Sequence, residues 1–540
     1  MRNYISPDRW KLIVAALSLS AAAVLLFTRL GHYSLWADEA IMALSAKGVM
    51  ATGDTSVVQE HGNIVAYGNG LLLRDLCDRM SPPLYTYLAA GSFAVFGVNP
   101  WAARLPSVLL GLAAIALILY WVRKQPAPVP VMLTLGLMCN VPLLLSIRQC
   151  RYYAPAVFFS TLTVFLYCRW RGGWRGLAAL AAPGVLLWAS NYMLCAILGA
   201  CLLADWLLWR RRETPLTVSC LPVLAVAALC CGTLLWVWNP WRIGAWRTYA
   251  SDNDFADKLR LTWWYFRDLN VCEYYPALTL VATAPLAFVD KTIRRLGLAL
   301  VLYITLLGFA SQQTLRATSV ADVRYAAPLI PLAVALTVAV IWKLTRKKAW
   351  LALPLSAVLF FTNIGNLGMG GGMLPRGVRS TISMFVRELA EPVPEPFGPT
   401  AEWINKNVPD GAPVYVVNGI DGPLSLMFAA PRALYIWQLD ASRRAEPQFA
   451  ALPAAHFKGG GVAPDYMIGF GPYTRQLTDD LNNYGPPDVP LRYQQVAKID
   501  VLWKDLYRPE LFWRVFKPIT GYNKDRDVVF IFKRSDEHTP

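Results

Sequence analysis

Charged residues are scarce in this chain. Only 16% of its 540 residues are Asp, Glu, Lys or Arg, against 56% that are hydrophobic, whereas a soluble protein carries about a quarter charged residues. Such a composition excludes an ordinary water-soluble enzyme and implies a protein that crosses a membrane many times. Histidine is scarce too. The four (His32, His61, His456 and His538) form no His-x3-His ligand spacing, so a histidine-based metal centre is not expected. No Walker loop, dinucleotide fingerprint or serine-nucleophile elbow appears. None of the ten cysteines lies beyond Cys272, so the large C-terminal region is not a disulfide scaffold. Most of the others fall in or beside apolar runs and read as small core residues. Cys77 and Cys272 both fall in expected outer loops, which leaves a bridge between them open.

What the chain does have is aromatic and basic residues. Its 21 Trp and 24 Tyr suit belts at two membrane interfaces. The net charge of +16 would suit nucleic acid, but many basic residues cluster at the ends of apolar runs. There they act as topology determinants and contacts to lipid phosphate, so membrane lipids rather than nucleic acid are the expected partners.

Apolar runs recur at about 11–30, 103–122, 127–146, 152–168, 175–190, 192–209, 216–237, 276–290, 296–310, 326–343 and 350–365, each near the ~20 residues that span a bilayer. Arg2 and Arg9 precede the first run, which lacks a small-residue cleavage site and reads as a retained anchor. A further run, 82–97, decides the topology. If it lies along the surface, Arg123-Lys124, Arg169-Trp170-Arg171, Arg210-Arg211-Arg212, Arg294-Arg295 and Arg346-Lys347-Lys348 all share the side of Arg2 and Arg9. The positive-inside rule favours that arrangement. About eleven spans follow, with 82–97 a juxtamembrane helix. The loops 31–102 and 238–275, the turns near 148 and 320, and the whole C-terminal region then gather on the outer face.

Residues 1–366 therefore read as a membrane domain. Beyond a flexible Gly368-to-Gly372 connector, residues 375–540 read as a soluble α/β domain on the extracytoplasmic side of the plasma (inner) membrane. A helix is expected near 400–407 and strands at 412–418, 465–470 and 528–533.

The chemistry-bearing residues lie in the outer segments. Asp38 and Glu39 follow the first run in Leu35-Trp36-Ala37-Asp38-Glu39-Ala40. An acidic pair at a lipid–water boundary is either a helix cap or a functional site. Further along, Pro82-Pro83-Leu84-Tyr85 opens the surface helix. The turn Arg148-Gln149-Cys150-Arg151-Tyr152-Tyr153 and the segment Asp322-Val323-Arg324-Tyr325 place arginines on the outer side. Those arginines either hold a phosphate oxygen or snorkel to the interface. Loop 238–275, with Trp241, Arg242, Trp246, Arg247, Trp263, Trp264, Tyr265 and Arg267, is either a lid over a head group or an interfacial amphipathic stretch.

The order of these features resembles the polyprenyl-phosphate-sugar glycosyltransferases of the GT-C fold, which include protein O-mannosyltransferases and lipid A aminoarabinose transferases. The Asp-Glu pair, Pro-Pro-Leu-Tyr, Ala102-Ala103-Arg104-Leu105-Pro106-Ser107, Arg-x-x-Arg-Tyr-Tyr and the later Arg-Tyr carry the likeness over about residues 10–365. It implies an inverting transferase that moves a sugar from a polyprenyl phosphate to a glycan, lipid or protein acceptor. It places Asp38 as the catalytic base with Glu39 beside it, and Arg148, Arg151 and Arg324 on the donor phosphate. Tyr85, Tyr152 and Tyr325 are the matching substrate-side aromatics. Two positions depart from the family pattern. Met80-Ser81 stands where His or Glu-Lys often precedes Pro-Pro, and Gln149 stands where an acidic residue is common. A divalent cation on Asp38 or Glu39 is chemically allowed, but no motif requires one. The rival readings are a transporter or flippase of lipid-linked sugars, or a non-catalytic assembly protein. A transporter would carry charged or broken-helix features near mid-membrane, and the spans here hold few charges.

Overall fold

The computed structural model describes residues 7–71, 73–239, 253–315, 321–366, 377–392, 394–417, 423–486, 492–501 and 528–535. The Gly-rich connector and Trp241, Arg242, Trp246 and Arg247 lie outside them.

Helices cover every expected membrane run. In chain order they are α1 (Pro7–Phe27), α2 (Ala37–Thr52), α3 (Leu84–Phe96), α4 (Pro100–Val122), α5 (Pro128–Cys139), α6 (Val141–Ile147), α7 (Tyr153–Arg169), α8 (Trp174–Ser190), α9 (Tyr192–Asp205) and α10 (Leu221–Val237). Phe255–Val271, Ala277–Val289, Lys291–Ala310, Ile330–Thr345 and Ala352–Phe361 follow. Polar residues set several of the starts. Asn99, Asn140 and Asn191 each accept an amide hydrogen bond in the first turn of α4, α6 and α9, and Asp290 does the same for Lys291–Ala310. These caps satisfy amides that have no partner within the helix.

Among the described residues, five helices are long and apolar enough to cross a bilayer, or six if α5 and α6, bent by 67°, count as one span. The remaining apolar runs form shorter helices, such as the 17-residue α7 and α8. The expected eleven runs thus exist as helices, but fewer have full spanning length. α10 has no fully buried side chain and exposes Leu221, Val226 and Leu229, as a helix with one face to lipid does. The chain is a multi-pass membrane protein. At 13 residues and ~1.5 Å per residue, α3 is about 20 Å long, too short for a ~30 Å hydrocarbon core.

The C-terminal region carries a five-stranded sheet of order β4-β3-β5-β7-β6, beyond a small hairpin of β1 (Leu73–Arg74) and β2 (Cys77–Asp78). β3 (Pro413–Val416) pairs in parallel with β4 (Leu434–Tyr435) and β5 (Tyr466–Phe470). β7 (Val528–Arg534) runs antiparallel to both β5 and β6 (Tyr493–Asp500). Three of these strands and the helix Phe397–Asn407 fall where the sequence pattern places them.

The sheet region is fastened to the loop 31–102. Buried Asn63 donates to the Ala433 carbonyl at 2.8 Å and accepts the Tyr435 amide at 2.8 Å. Glu395 accepts from the Ser34 hydroxyl at 2.7 Å and from the amides of Phe397 and Gly398. Phe93 of α3 meets Phe428 at 6.1 Å between ring centroids. One hydrophobic core runs through the helices and into the sheet. Cys77 and Cys272 are both free thiols, so the bridge left open above is not formed.

Candidate active site

α1 ends at Phe27, and a short turn delivers Asp38 and Glu39 into the first turn of α2. Unpaired amides at a helix start favour negative charge, so the helix-cap reading has a physical basis. The two side chains then part company.

Glu39 is completely buried. Its carboxylate receives the Arg104 guanidinium at 2.9 and 2.6 Å and the Cys150 amide at 2.6 Å. Arg104 also donates to the carbonyls of Leu30, Tyr33 and Ser34, at 2.9, 2.8 and 3.1 Å. Glu39 was expected beside the reaction. The structure instead uses both of its oxygens as a buried counter-ion that joins α4 to the turns on either side.

Asp38 faces the other way. Its Oδ2 forms an ion pair with Arg151 Nη2 at 3.0 Å and accepts a hydrogen bond from Arg324 Nη1 at 2.7 Å, and Arg151 Nη1 donates to the Asp38 carbonyl at 3.1 Å. Oδ1 has no hydrogen-bond partner among the described residues. Arg324 lays its Nε between the two carboxylate oxygens of Asp322, at 2.9 and 3.0 Å. Residues nearly 300 positions apart in sequence therefore share one charge cluster.

Neighbouring elements hold that cluster in place. In the helix Phe255–Val271, Leu261, Tyr265 and Leu269 form a buried stripe, while Phe255, Leu259 and Trp263 stay exposed, the pattern of an interfacial amphipathic helix. Its Tyr265 hydroxyl donates to the Asp322 carbonyl at 3.1 Å, and Asp268 accepts the Ala321 amide at 2.7 Å. Gln313 accepts the Asp322 amide at 2.9 Å. Tyr265 stands out in the sequence only as one of the aromatics of loop 238–275, and Asp268 and Gln313 do not stand out, because each works by holding a turn and none belongs to a motif.

Asp78 belongs to the same loop, 31–102, as Asp38. It is buried, accepts the amides of Met80 and Ser81 at 3.0 and 3.3 Å, and lies within the field of Arg151. Burial pushes its carboxyl above the usual range, against the pull of those amides and of Arg151. Burial likewise pushes Asp322 up, opposed chiefly by Arg324.

The remaining expected residues divide. The Tyr152 and Tyr325 rings stack at 6.4 Å and 17°. Arg151 lies 5.0 Å from the Tyr152 ring and Arg324 5.6 Å from the Tyr325 ring, so both tyrosines line the cluster. Tyr85 does not. It is fully buried, donating to the Ala103 carbonyl at 2.7 Å and accepting from Ser107 at 2.9 Å. Arg148 is placed elsewhere as well. Its Nη1 caps the carbonyls of Leu25, Leu26 and Thr28 at 2.8, 2.9 and 3.0 Å, the oxygens that a helix end leaves unpaired. Phosphate binding had been expected of it, but the end of α1 already occupies this guanidinium nitrogen.

A resident metal ion does not fit the donors at Asp38. Two guanidinium groups already occupy Oδ2, and among the described residues no three His, Cys, Asp or Glu side chains gather as a ligand set. What the arrangement offers is a carboxylate with one open oxygen, beside two cations suited to an anionic group.

No protein-family model matches the chain, and no curated protein matches it in sequence. Solved structures match it in fold. ArnT from Cupriavidus metallidurans bound to undecaprenyl phosphate is similar with a TM-score of 0.58 at 14% identity, over 97% of this chain and 98% of that one. The apo state of the same ArnT gives a TM-score of 0.55 at 13% identity, over 97% of each chain. The Archaeoglobus fulgidus oligosaccharyltransferase in complex with Zn and sulfate gives 0.43 at 10% identity, over 85% of this chain and 68% of that one. The chain has the GT-C fold, the architecture its sequence pattern resembles.

Proposed function

We propose that this chain is an inverting membrane glycosyltransferase that moves a sugar from a polyprenyl phosphate to an acceptor hydroxyl on the outer face of the membrane. The observation that carries this reading is Asp38, with Oδ2 held between Arg151 and Arg324 and Oδ1 open. The fold is shared with a protein solved with undecaprenyl phosphate bound, and the spans supply a lipid-facing surface for a polyprenyl tail.

In this mechanism Oδ1 of Asp38 takes the proton of the acceptor hydroxyl as its oxygen attacks the anomeric carbon. The bond from that carbon to the phosphate oxygen breaks, and the phosphate leaves with the electron pair. Arg151 and Arg324 stabilise the charge growing on that oxygen, an interaction stronger in the transition state than in the ground state. Attack opposite the leaving group inverts the anomeric centre. The donor is already activated, so no nucleotide is needed.

The test is a synthetic polyprenyl-phosphate sugar presented to the full-length protein in lipid nanodiscs with candidate acceptors. Transfer with inverted anomeric configuration supports the reading. Transbilayer movement of the intact donor in vesicles, without transfer, would make the protein a flippase instead. Two arginine variants separate binding from architecture. Arg324→Ala should weaken polyprenyl-phosphate binding about tenfold to a hundredfold, the worth of one charge-assisted contact. Arg148→Ala should instead lower the melting temperature and leave donor affinity within about threefold, because it frees the carbonyls of α1. Equal donor affinity in Arg324→Ala and the parent protein would remove Arg324 from the phosphate site.

Sidedness rests on charge. The basic clusters that follow the even-numbered expected spans share the side of Arg2 and Arg9 only if α3 stays out of the bilayer. On that basis Asp38 and the domain at 375–540 face outward. In a background where the native cysteines are controlled for, Lys124→Cys should resist an impermeant thiol reagent in intact cells. Labelling there would reverse the assignment.

A further inference from the structure

Tyr153 opens α7 immediately after Arg151 and Tyr152. Its side chain is 1% exposed, yet among the described residues its hydroxyl has no hydrogen-bond partner. Buried hydroxyls are normally paired because an unpaired one has lost its water and gained nothing. Two other buried phenols follow the rule: Tyr85 is bonded to Ala103 and Ser107, and Tyr265 to Ser311 and Asp322, whereas the Tyr303 hydroxyl, away from the arginines, has no partner among the described residues either. Tyr153 departs from it at the place where the charge cluster stands.

The surroundings of the hydroxyl narrow what could complete it. The charged groups acting on it are Arg324, Arg151 and Asp38, with Tyr325 also close. Its ring packs edge-on against Tyr152 at 4.8 Å, and Arg151 lies 5.9 Å from its centre. The ring is therefore fixed from two sides, and its position at the helix start fixes the backbone. Guanidinium groups only donate, so neither arginine can accept its proton. Asp38 turns Oδ2 to the arginines and makes no bond to the phenol. The hydroxyl therefore has a proton to donate and no acceptor among the described residues, with two cations acting on it. An anionic oxygen suits that setting.

We infer that Tyr153 is a donor-binding residue whose hydroxyl donates a hydrogen bond to a non-bridging oxygen of the lipid phosphate held by Arg151 and Arg324. The inference rests on the transferase reading and adds a neutral donor to the two cationic ones. A phenol has a fixed direction, so it orients the phosphate where arginines mainly attract it. The hydroxyl contributes nothing to the resting fold, because its partner arrives with the ligand.

The test compares Tyr153→Phe with the parent protein, full length in nanodiscs, using undecaprenyl phosphate without a sugar as the first probe. The variant should melt at the same temperature or slightly higher, and its Kd for undecaprenyl phosphate should rise about tenfold to a hundredfold. Donor KM should rise in step, with acceptor KM unchanged. Unchanged affinity in Tyr153→Phe, alongside a parent protein that binds and turns over, would overturn this inference alone. So would a drop in melting temperature with affinity intact, since that is what a structural hydroxyl would do. Weakened binding of the sugar-bearing donor alone would move the contact to the sugar and overturn the phosphate assignment. A parent protein that binds no undecaprenyl phosphate would overturn the donor reading, and this inference with it.

Discussion

Asp38→Asn is expected to lower the turnover of sugar transfer by about a hundredfold to ten-thousandfold, the usual contribution of a general base. The protein should remain folded. Asparagine keeps the shape, and its amide oxygen can still accept from Arg151 or Arg324, whose donors lie at 3.0 and 2.7 Å from Oδ2. It cannot take up the proton of an attacking hydroxyl. The variant also removes the carboxylate that competes with an incoming phosphate for the two arginines, while Asp322 continues to pair with Arg324. Donor affinity should therefore hold steady or tighten as turnover collapses. That split between binding and turnover distinguishes loss of a base from loss of a fold or of a binding pocket. It is measured by pairing equilibrium binding of undecaprenyl phosphate with turnover at saturating donor. Near-normal turnover would remove Asp38 from the base role, and a matching loss of donor affinity would turn it into a binding residue.

Much of the site was legible in the chain because the chemistry needs charged side chains where charge is otherwise scarce. Asp38, Arg151 and Arg324 stand out against apolar sequence, and the structure brings all three together. What the pattern could not separate was direction. Asp38 and Glu39 are adjacent in sequence, and on a helix adjacent residues point about 100° apart. One therefore met the cluster while the other met Arg104. The same holds for Arg148 and Arg151. Three positions along a turn, they serve the end of α1 and the Asp38 carboxylate respectively.

The sheet was partly legible for a related reason. β3, β5 and β7 are apolar and central or next to central, whereas β6 (Tyr493–Asp500) is a largely exposed edge strand rich in polar residues, and β4 is two residues long. An edge strand needs few apolar side chains, so its sequence carries little periodic signal. Asp268, Asn63 and the anchoring role of Tyr265 were hidden for another reason. They act on backbone groups far away in sequence, and no local spacing records such a bond.

Arg104→Leu is expected to have the largest effect on folding. The guanidinium makes two bonds to Glu39 and three to the carbonyls of Leu30, Tyr33 and Ser34, with side-chain exposures of 6% for Arg104 and none for Glu39. Removing one partner of a buried ion pair costs about 3–5 kcal/mol, because the other charge stays buried and alone. That is a large share of the roughly 5–15 kcal/mol that holds a typical protein folded. Leucine also leaves three carbonyls of the turn before α2 unpaired, so the segment that presents Asp38 should loosen first. A strong fall in melting temperature and in monodisperse yield is the expected measurement. Replacing both residues, as Glu39→Leu with Arg104→Leu, should cost less than the sum of the single changes, since no charge is then stranded. Glu39→Gln completes the argument. The amide oxygen can still accept from Arg104 Nε and the Cys150 amide, as Oε1 does now, while the amide nitrogen faces Arg104 Nη2 donor to donor, so this variant should fold with a reduced melting temperature and retain measurable transfer. A well-folded, fully inactive Glu39→Gln would return Glu39 to the chemistry. An Arg104→Leu variant as stable as the parent would show that the turn before α2 is held by something other than this pair.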